Sequence, residues 1–330
     1  MASIERPLVA VIGGDSLLAR EIRDLLDQSK PAPRVELISA LADDSTILAK
    51  EDDEAVVMVP LIAESLEGAR VAFLAGSPAS SRRTLKLNPS GGPMLIDLTG
   101  ALEDQPSARL RAPTAEASRR ESSAIQVIAH PAAIAIAKLL SSLAGVAVIR
   151  RAIIHVFEPA SERGQRGLDE LQQQTVATLS FQKLKTDVYD AQVAYNLLAR
   201  YGEEALEPLD SIEQRLERHL ASLLSAYPSV PMPSLRVIQA PVFHGHSFSV
   251  WVEFDENPGA KGIASALTDA GIDVRPDEPP TNVGIAGQNG LAAGAIVQDH
   301  NQPRACWIWM VADNLRLAAE NAVAVAQETL

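Results

Sequence analysis

Short apolar runs, each closed by turn residues, mark the first half of the chain. "LVAVI" (8–12) leads into "GGDS", and a helical pattern follows in which Leu18, Ile22, Leu25 and Leu26 share one face while Arg20, Glu21, Arg23 and Asp24 take the other. "PAP" (31–33) breaks that helix. "VELIS" (35–39), "AVVMV" (55–59), "VAFLA" (71–75) and "MLIDL" (94–98) are further runs without polar alternation, the pattern of parallel strands covered on both faces. Strand, helix and strand in this order predict a doubly wound α/β domain. "VIAHPAAIAIAKLL" (127–140) reads as the end of a strand passing into a helix, with Pro131 in the first helical turn, where its missing N–H is tolerated.

Beyond residue 145 the texture changes. "VAVIRRAIIHVF" (146–157) alternates as a longer strand. "GQRGLDELQQQTVATL" (164–179) and "SIEQRLERHLASLLSAY" (211–227) are amphipathic helices. "LRVIQAPVF" (235–243) and "SFSVWVEF" (247–254) are predicted to be neighbouring antiparallel strands, and "PPTNVGIAGQNGLAAG" (279–294) a loop. The chain ends in a strand, "ACWIWMVA", and a helix for which Asp313 is the expected N-cap, with Arg316 in its first turn.

Composition narrows the function classes. The 330 residues are enough for about two domains, and 47% are apolar but only 4% aromatic, so the cores are aliphatic. A net charge of −13 argues against a general basic surface for nucleic acid or anionic membrane. No run reaches the roughly 20 apolar residues of a bilayer span, and the N-terminus has no signal-peptide pattern. One cysteine, Cys306, rules out an intrachain disulfide, and the expected setting is cytoplasmic.

Candidate chemistry is sparse. Gly13, Gly14, Ser16 and Ala19 stand where dinucleotide-binding proteins carry a glycine fingerprint, but they do not complete it. The second strand runs into "ISALADD", with no acid at its tip for a ribose diol and, in Asp43 and Asp44, charges that repel a 2′-phosphate. His244 and His246 flank a turn, yet the sequence offers no third metal ligand, and no metal is expected. His246 suits a general acid/base, or a turn histidine bonded to backbone. Cys306, beside Trp307 and Trp309, reads as core. His155 and Glu158 face either a cleft or solvent.

The pieces "VAVIGG" with "ARE", "VAFLAGS", "LIDLTGAL", "VIAHPAA", "EPASERGQRGLDEL", "AYNLLA", "APVFHGHSFSVWVEF" and "MVADNLRLAAENAVAVA" resemble the aspartate-semialdehyde dehydrogenase family, most closely its dehydrogenase-like Usg paralogues. The resemblance implies an α/β fold: a Rossmann-like NAD(P)-binding domain (1–128 and 311–330) plus an α+β dimerisation domain (129–310), assembled as a homodimer. The apolar faces after residue 145 fit such a dimer. In that family a cysteine attacks the aldehyde, hydride passes to NADP, and phosphate cleaves the thioester.

Carried onto this chain, the cysteine position is Ala133, in "HPAA". The assisting glutamine falls on Glu158, the substrate-carboxylate arginine on Gln239, another arginine near Glu103, and the 2′-phosphate arginine near Leu41. The histidine is kept as His246. Gly13, Gly14, Ser16, Ser39, Gly76 and Asn314 are the implied cofactor positions. Gly76, Asp97, Pro131, Ser161, Gly245, Asp313 and Arg316 are retained largely for the fold. NADP is the implied cofactor, with weak binding or none expected from the degraded turn. Three readings stand open: a non-catalytic dimeric scaffold or effector-binding protein with a small-molecule ligand, an oxidoreductase of altered chemistry using His246 and Glu158, and an ordinary NADP-dependent dehydrogenase, which the missing cysteine opposes.

Overall fold

The structure, a computed structural model, describes residues 6–41, 47–51, 54–117 and 123–330. It has two compact units, Met1–Ala129 with Ala318–Leu330, and His130–Leu317. Among the described residues, no helix is long and apolar enough to cross a membrane.

The first unit contains β1 (Leu8–Ile12), α1 (Leu17–Gln28), β2 (Arg34–Ile38), β3 (Ile47–Glu51), β4 (Glu54–Met58), β5 (Ala69–Leu74), α2 (Pro78–Leu87), β6 (Met94–Asp97), β7 (Ala108–Arg111) and β8 (Ile125–Ile128). Six strands form one parallel sheet in the order β2-β1-β5-β6-β8-β7, which is the Rossmann-like arrangement. Val9–Ile12 and Val71–Leu74 are fully buried, as unalternated runs in a parallel sheet must be. The Ser16 hydroxyl caps α1 by accepting the Ala19 amide, and α1 buries Ala19, Ile22 and Leu26.

"AVVMV" departs from expectation. It pairs with β3 in an antiparallel hairpin outside the main sheet, which it meets through a bridge between Ile38 and Val59. An apolar run specifies burial, not its partner strand. The short strand β7, "ARLR", has no apolar run to reveal it.

The second unit contains α3 (Pro131–Ala144), β9 (Ile149–Glu158), α4 (Gly164–Leu179), α5 (Leu209–Leu224), β10 (Ser234–Gln239), β11 (His246–Phe254), α6 (Gly259–Asp269), β12 (Asp273–Arg275), α7 (Asn282–Ile285), β13 (Ala292–Gln298) and β14 (Ala305–Ala312). The last helix, α8 (Asn314–Gln327), starts here. The sheet is mixed, in the order β10-β9-β11-β14-β13-β12. α3 is apolar nearly all round and packs on the face of α5 that buries Ile212, Leu216, Leu220 and Leu223.

β10 and β11 are not neighbours: β9 lies between them, parallel to β10 and antiparallel to β11. The link after β10 crosses the end of β9, where Ala160 and Ser161 donate their amides to the carbonyls of Val242 and Phe243. The stretch expected as a loop at 279–294 includes α7 and the start of β13.

Candidate functional site

Strand register assembles the site at one end of the second sheet. Gln239 ends β10 opposite Glu158, which ends β9. β11 runs the other way, so His246 begins where β9 stops, and His246 pairs with Ala312 at the end of β14, just before Asp313 and Asn314. His130, the N-cap of α3, brings its ring to 5.6 Å from that of His246.

Glu158 is fully buried, with Oε1 2.6 Å from Arg163 Nη2; Arg163 Nη1 lies 2.5 Å from Glu207 Oε2. Burial raises the pKa of Glu158, and Arg163 works against that rise. Burial likewise opposes the Arg163 charge, but Glu158, Tyr201 and Glu207 together outweigh it and the guanidinium stays protonated. The Glu158 side chain is therefore paired rather than facing solvent. His246 is pushed down to about 4 by burial, against the pull of Glu158 and Asp313, so its imidazole is unprotonated at neutral pH. Its Nε2 lies 3.8 Å from Glu162 Oε1. His130 is also lowered by burial; its Nδ1 accepts the Ala132 amide at 3.2 Å, and its own amide donates to His219 Nδ1 at 2.9 Å.

Gln239 is fully engaged. Tyr201 donates its hydroxyl to Oε1 at 2.6 Å, and Nε2 donates to the carbonyls of Glu158 and Ala240, both at 2.9 Å. Asn314 ties three segments together: its Oδ1 accepts Ser161 Oγ–H at 3.0 Å and the Gly245 amide at 3.1 Å, and its Nδ2 donates to Glu162 Oε1 at 2.9 Å. Asp313 caps α8 by accepting the amides of Leu315 and Arg316.

Ala133 lies on the first turn of α3, three residues after His130, and is fully buried. Other candidates lie apart from this cluster. Cys306 pairs with Val252, six residues along the strands from His246, about 20 Å away at 3.3 Å per residue. Burial raises its pKa, and Asn257 Oδ1 sits 3.4 Å from its Sγ. His155 lies on the opposite face of β9 from Glu158, by strand alternation. His244 is half-buried on the link and outside the cluster.

In the first unit, Gly13 has φ +81° and lies so close to Gly76 that a Cβ would fall 2.3 Å from the Gly76 Cα. The amides of Gly13 and Gly14 both donate to the Ile38 carbonyl, at 2.8 and 3.3 Å, and the Ser16 amide donates to the Gly13 carbonyl. Ser39 Oγ accepts the Leu41 amide. Asp43 and Asp44 lie outside the described residues. Near the end of β2, Arg83 of α2 donates from Nη1 to the Leu41 carbonyl at 3.4 Å. Glu103 is also in this unit, its charge reaching Asp97.

The sequence marks none of His130, Glu162, Arg163 and Tyr201 as candidate chemistry, although His130 falls in "VIAHPAA" and Glu162 and Arg163 in "EPASERGQRGLDEL".

Comparison with known proteins fits this architecture. Residues 140–317 match the semialdehyde dehydrogenase dimerisation domain. The chain is 28% identical to an aspartate-semialdehyde dehydrogenase of Rickettsia bellii, covering 98% of this chain and 97% of that one, and 30% identical to a USG-1 protein homolog of Azotobacter vinelandii over 78% of each. A solved structure described as a probable aspartate-semialdehyde dehydrogenase from Pseudomonas aeruginosa superposes with a TM-score of 0.84 at 25% identity, over 98% of both chains. The chain belongs to the semialdehyde dehydrogenase family.

Proposed function

We propose that this chain is a semialdehyde dehydrogenase homologue that does not carry out the phosphorylating dehydrogenase reaction and acts as a homodimeric scaffold or small-molecule-binding protein. The observation that carries this reading is the first turn of α3. Position 133 offers a methyl group where the family chemistry needs a thiol, and the one cysteine is buried about 20 Å from His246. Loss of a nucleophile lowers rate on the order of 10⁴–10⁶-fold.

Two further features support it. Gln239 stands at the substrate-arginine position, and its amide is already saturated by Tyr201 and two carbonyls. The Gly13–Gly14 turn also fits NADP poorly, because both glycine amides are engaged by the Ile38 carbonyl and the exposed Asp15 follows them. Weak NADP binding, or none, follows. Val176, Leu179 and Phe181 at the end of α4 are exposed, apolar surface suited to a second copy.

The test is an assay of purified protein with aspartate semialdehyde, phosphate and either NAD or NADP. No cofactor reduction above the enzyme-free rate is expected, and saturable turnover overturns the reading. Calorimetric titration with NADP is expected to show no low-micromolar site, and light scattering a dimer. The second reading, altered chemistry on another substrate, draws on His246, whose imidazole is in the neutral form a general base needs and sits in the field of Glu158 and Arg163. Turnover abolished by His246→Gln on a substrate outside the family would favour it.

A further inference from the structure

We infer that His130, Glu158 and His246 form a binding site for a divalent transition-metal ion. The three side chains each offer one ligand atom, and those atoms all lie within 4.8 Å of one another. All three residues are more than nine-tenths buried. His130 Nε2, Glu158 Oε2 and both ring nitrogens of His246 have no hydrogen-bond partner. An unpaired buried polar atom bears its whole desolvation penalty, and four of them on three converging side chains is an arrangement that a shared ligand relieves.

The chemistry of the set selects the ligand. Two imidazoles and one carboxylate suit Zn²⁺, Fe²⁺ or Co²⁺ rather than Mg²⁺ or Ca²⁺, which prefer all-oxygen shells. Bonds of about 2.0–2.2 Å place tetrahedral ligand atoms roughly 3.3 Å apart, so side-chain rotations must draw this set inward by about an ångström. Both rings are held neutral by burial, the form that ligates. Around the three ligands the carboxylates of Glu158, Glu162, Glu207 and Asp313 face two guanidiniums, Arg163 and Arg215, a balance that still favours a cation.

Supporting contacts are also in place. Arg163 holds the other oxygen of Glu158 and so orients it, as outer partners of a ligand do. His130 makes one exchange on binding: coordination through Nε2 moves its ring proton to Nδ1, which releases the long contact from the Ala132 amide. The inference does not depend on loss of the dehydrogenase reaction, because metal binding is read without any assay of turnover.

The experiment uses the full-length protein, stripped with a chelator and titrated with Zn²⁺ by calorimetry and with Co²⁺ by visible absorption. One equivalent is expected to bind, with Co²⁺ bands of a four- or five-coordinate site containing imidazole. Addition of Zn²⁺ is expected to shift the ring NMR signals of two of the six histidines. His130→Asn, His246→Asn and Glu158→Gln are each expected to weaken binding about tenfold or more, while His244→Asn leaves it unchanged. The NMR and Co²⁺ measurements on the unaltered protein decide the matter should a variant fail to fold. Absence of a stoichiometric site, an all-oxygen octahedral Co²⁺ spectrum, or equal affinity in the His130→Asn/His246→Asn double variant would overturn the proposal.

Discussion

Arg163 donates from Nη2 to Glu158 Oε1 at 2.6 Å, joining a side chain that ends the central strand β9 to one in the turn that follows it. The two partners are unequally provided for. Arg163 has a second carboxylate in Glu207, whereas Arg163 is the cation bonded to Glu158. Arg163→Met therefore strands a buried carboxylate, and a loss of about 3–5 kcal/mol is expected. Glu158→Gln leaves the guanidinium paired with Glu207, and a smaller loss of about 1–3 kcal/mol is expected. Urea unfolding of the two variants checks the order; equal losses would show that Glu158 is solvated.

Asn314 provides the second expectation. Asn314→Ala leaves the Ser161 hydroxyl, the Gly245 amide and Glu162 short of a partner, at an expected cost of about 2–4 kcal/mol. Asn314→Asp keeps the acceptor but turns the donor toward Glu162 into another carboxylate oxygen, and is expected to be worse at neutral pH. Thermal melts of both variants measure the difference.

Gly13 and Gly68 separate backbone strain from overlap. Both have positive φ, +81° and +74°, but a Cβ on Gly68 meets nothing within 4 Å while one on Gly13 strikes the Gly76 backbone. Gly68→Ala is expected to cost about 1–2 kcal/mol, the left-handed penalty alone. Gly13→Ala adds overpacking and is expected to cost about 3 kcal/mol or more. Chemical denaturation of the pair is the check.

Cys306 is expected to react with iodoacetamide only as the second unit unfolds. It is fully buried in β14, and burial raises its thiol pKa, so little thiolate forms or meets reagent. Labelling followed by mass spectrometry should track the unfolding transition in urea. Rapid labelling of the native protein would remove the argument that this thiol is sealed from the site.

Local sequence determined much of this molecule. The unalternated apolar runs at 8–12, 71–75 and 94–98 specified buried parallel strands, because a strand covered on both faces has no use for polar alternation. Pro131 and Asp313 marked helix starts, since capping is a matter of a few adjacent residues. His246 and Glu158 were legible as candidate chemistry, and residue identity alone placed alanine at 133 and glutamine at 239.

Tertiary structure decided the rest. Nothing in "LRVIQAPVF" shows that β9 intervenes between β10 and β11, because a strand's pattern encodes which face is buried and not which strand lies beside it. The hairpin of β3 and β4 was hidden for the same reason. His130 gained its significance only when α3 packed on α5 and its N-terminus reached the end of β11. A turn after β9 folded Arg163 back onto Glu158, changing a bare buried charge into a paired one. Charge, burial and the convergence of ligand atoms belong to distances between segments far apart in the chain, and those distances are set by packing.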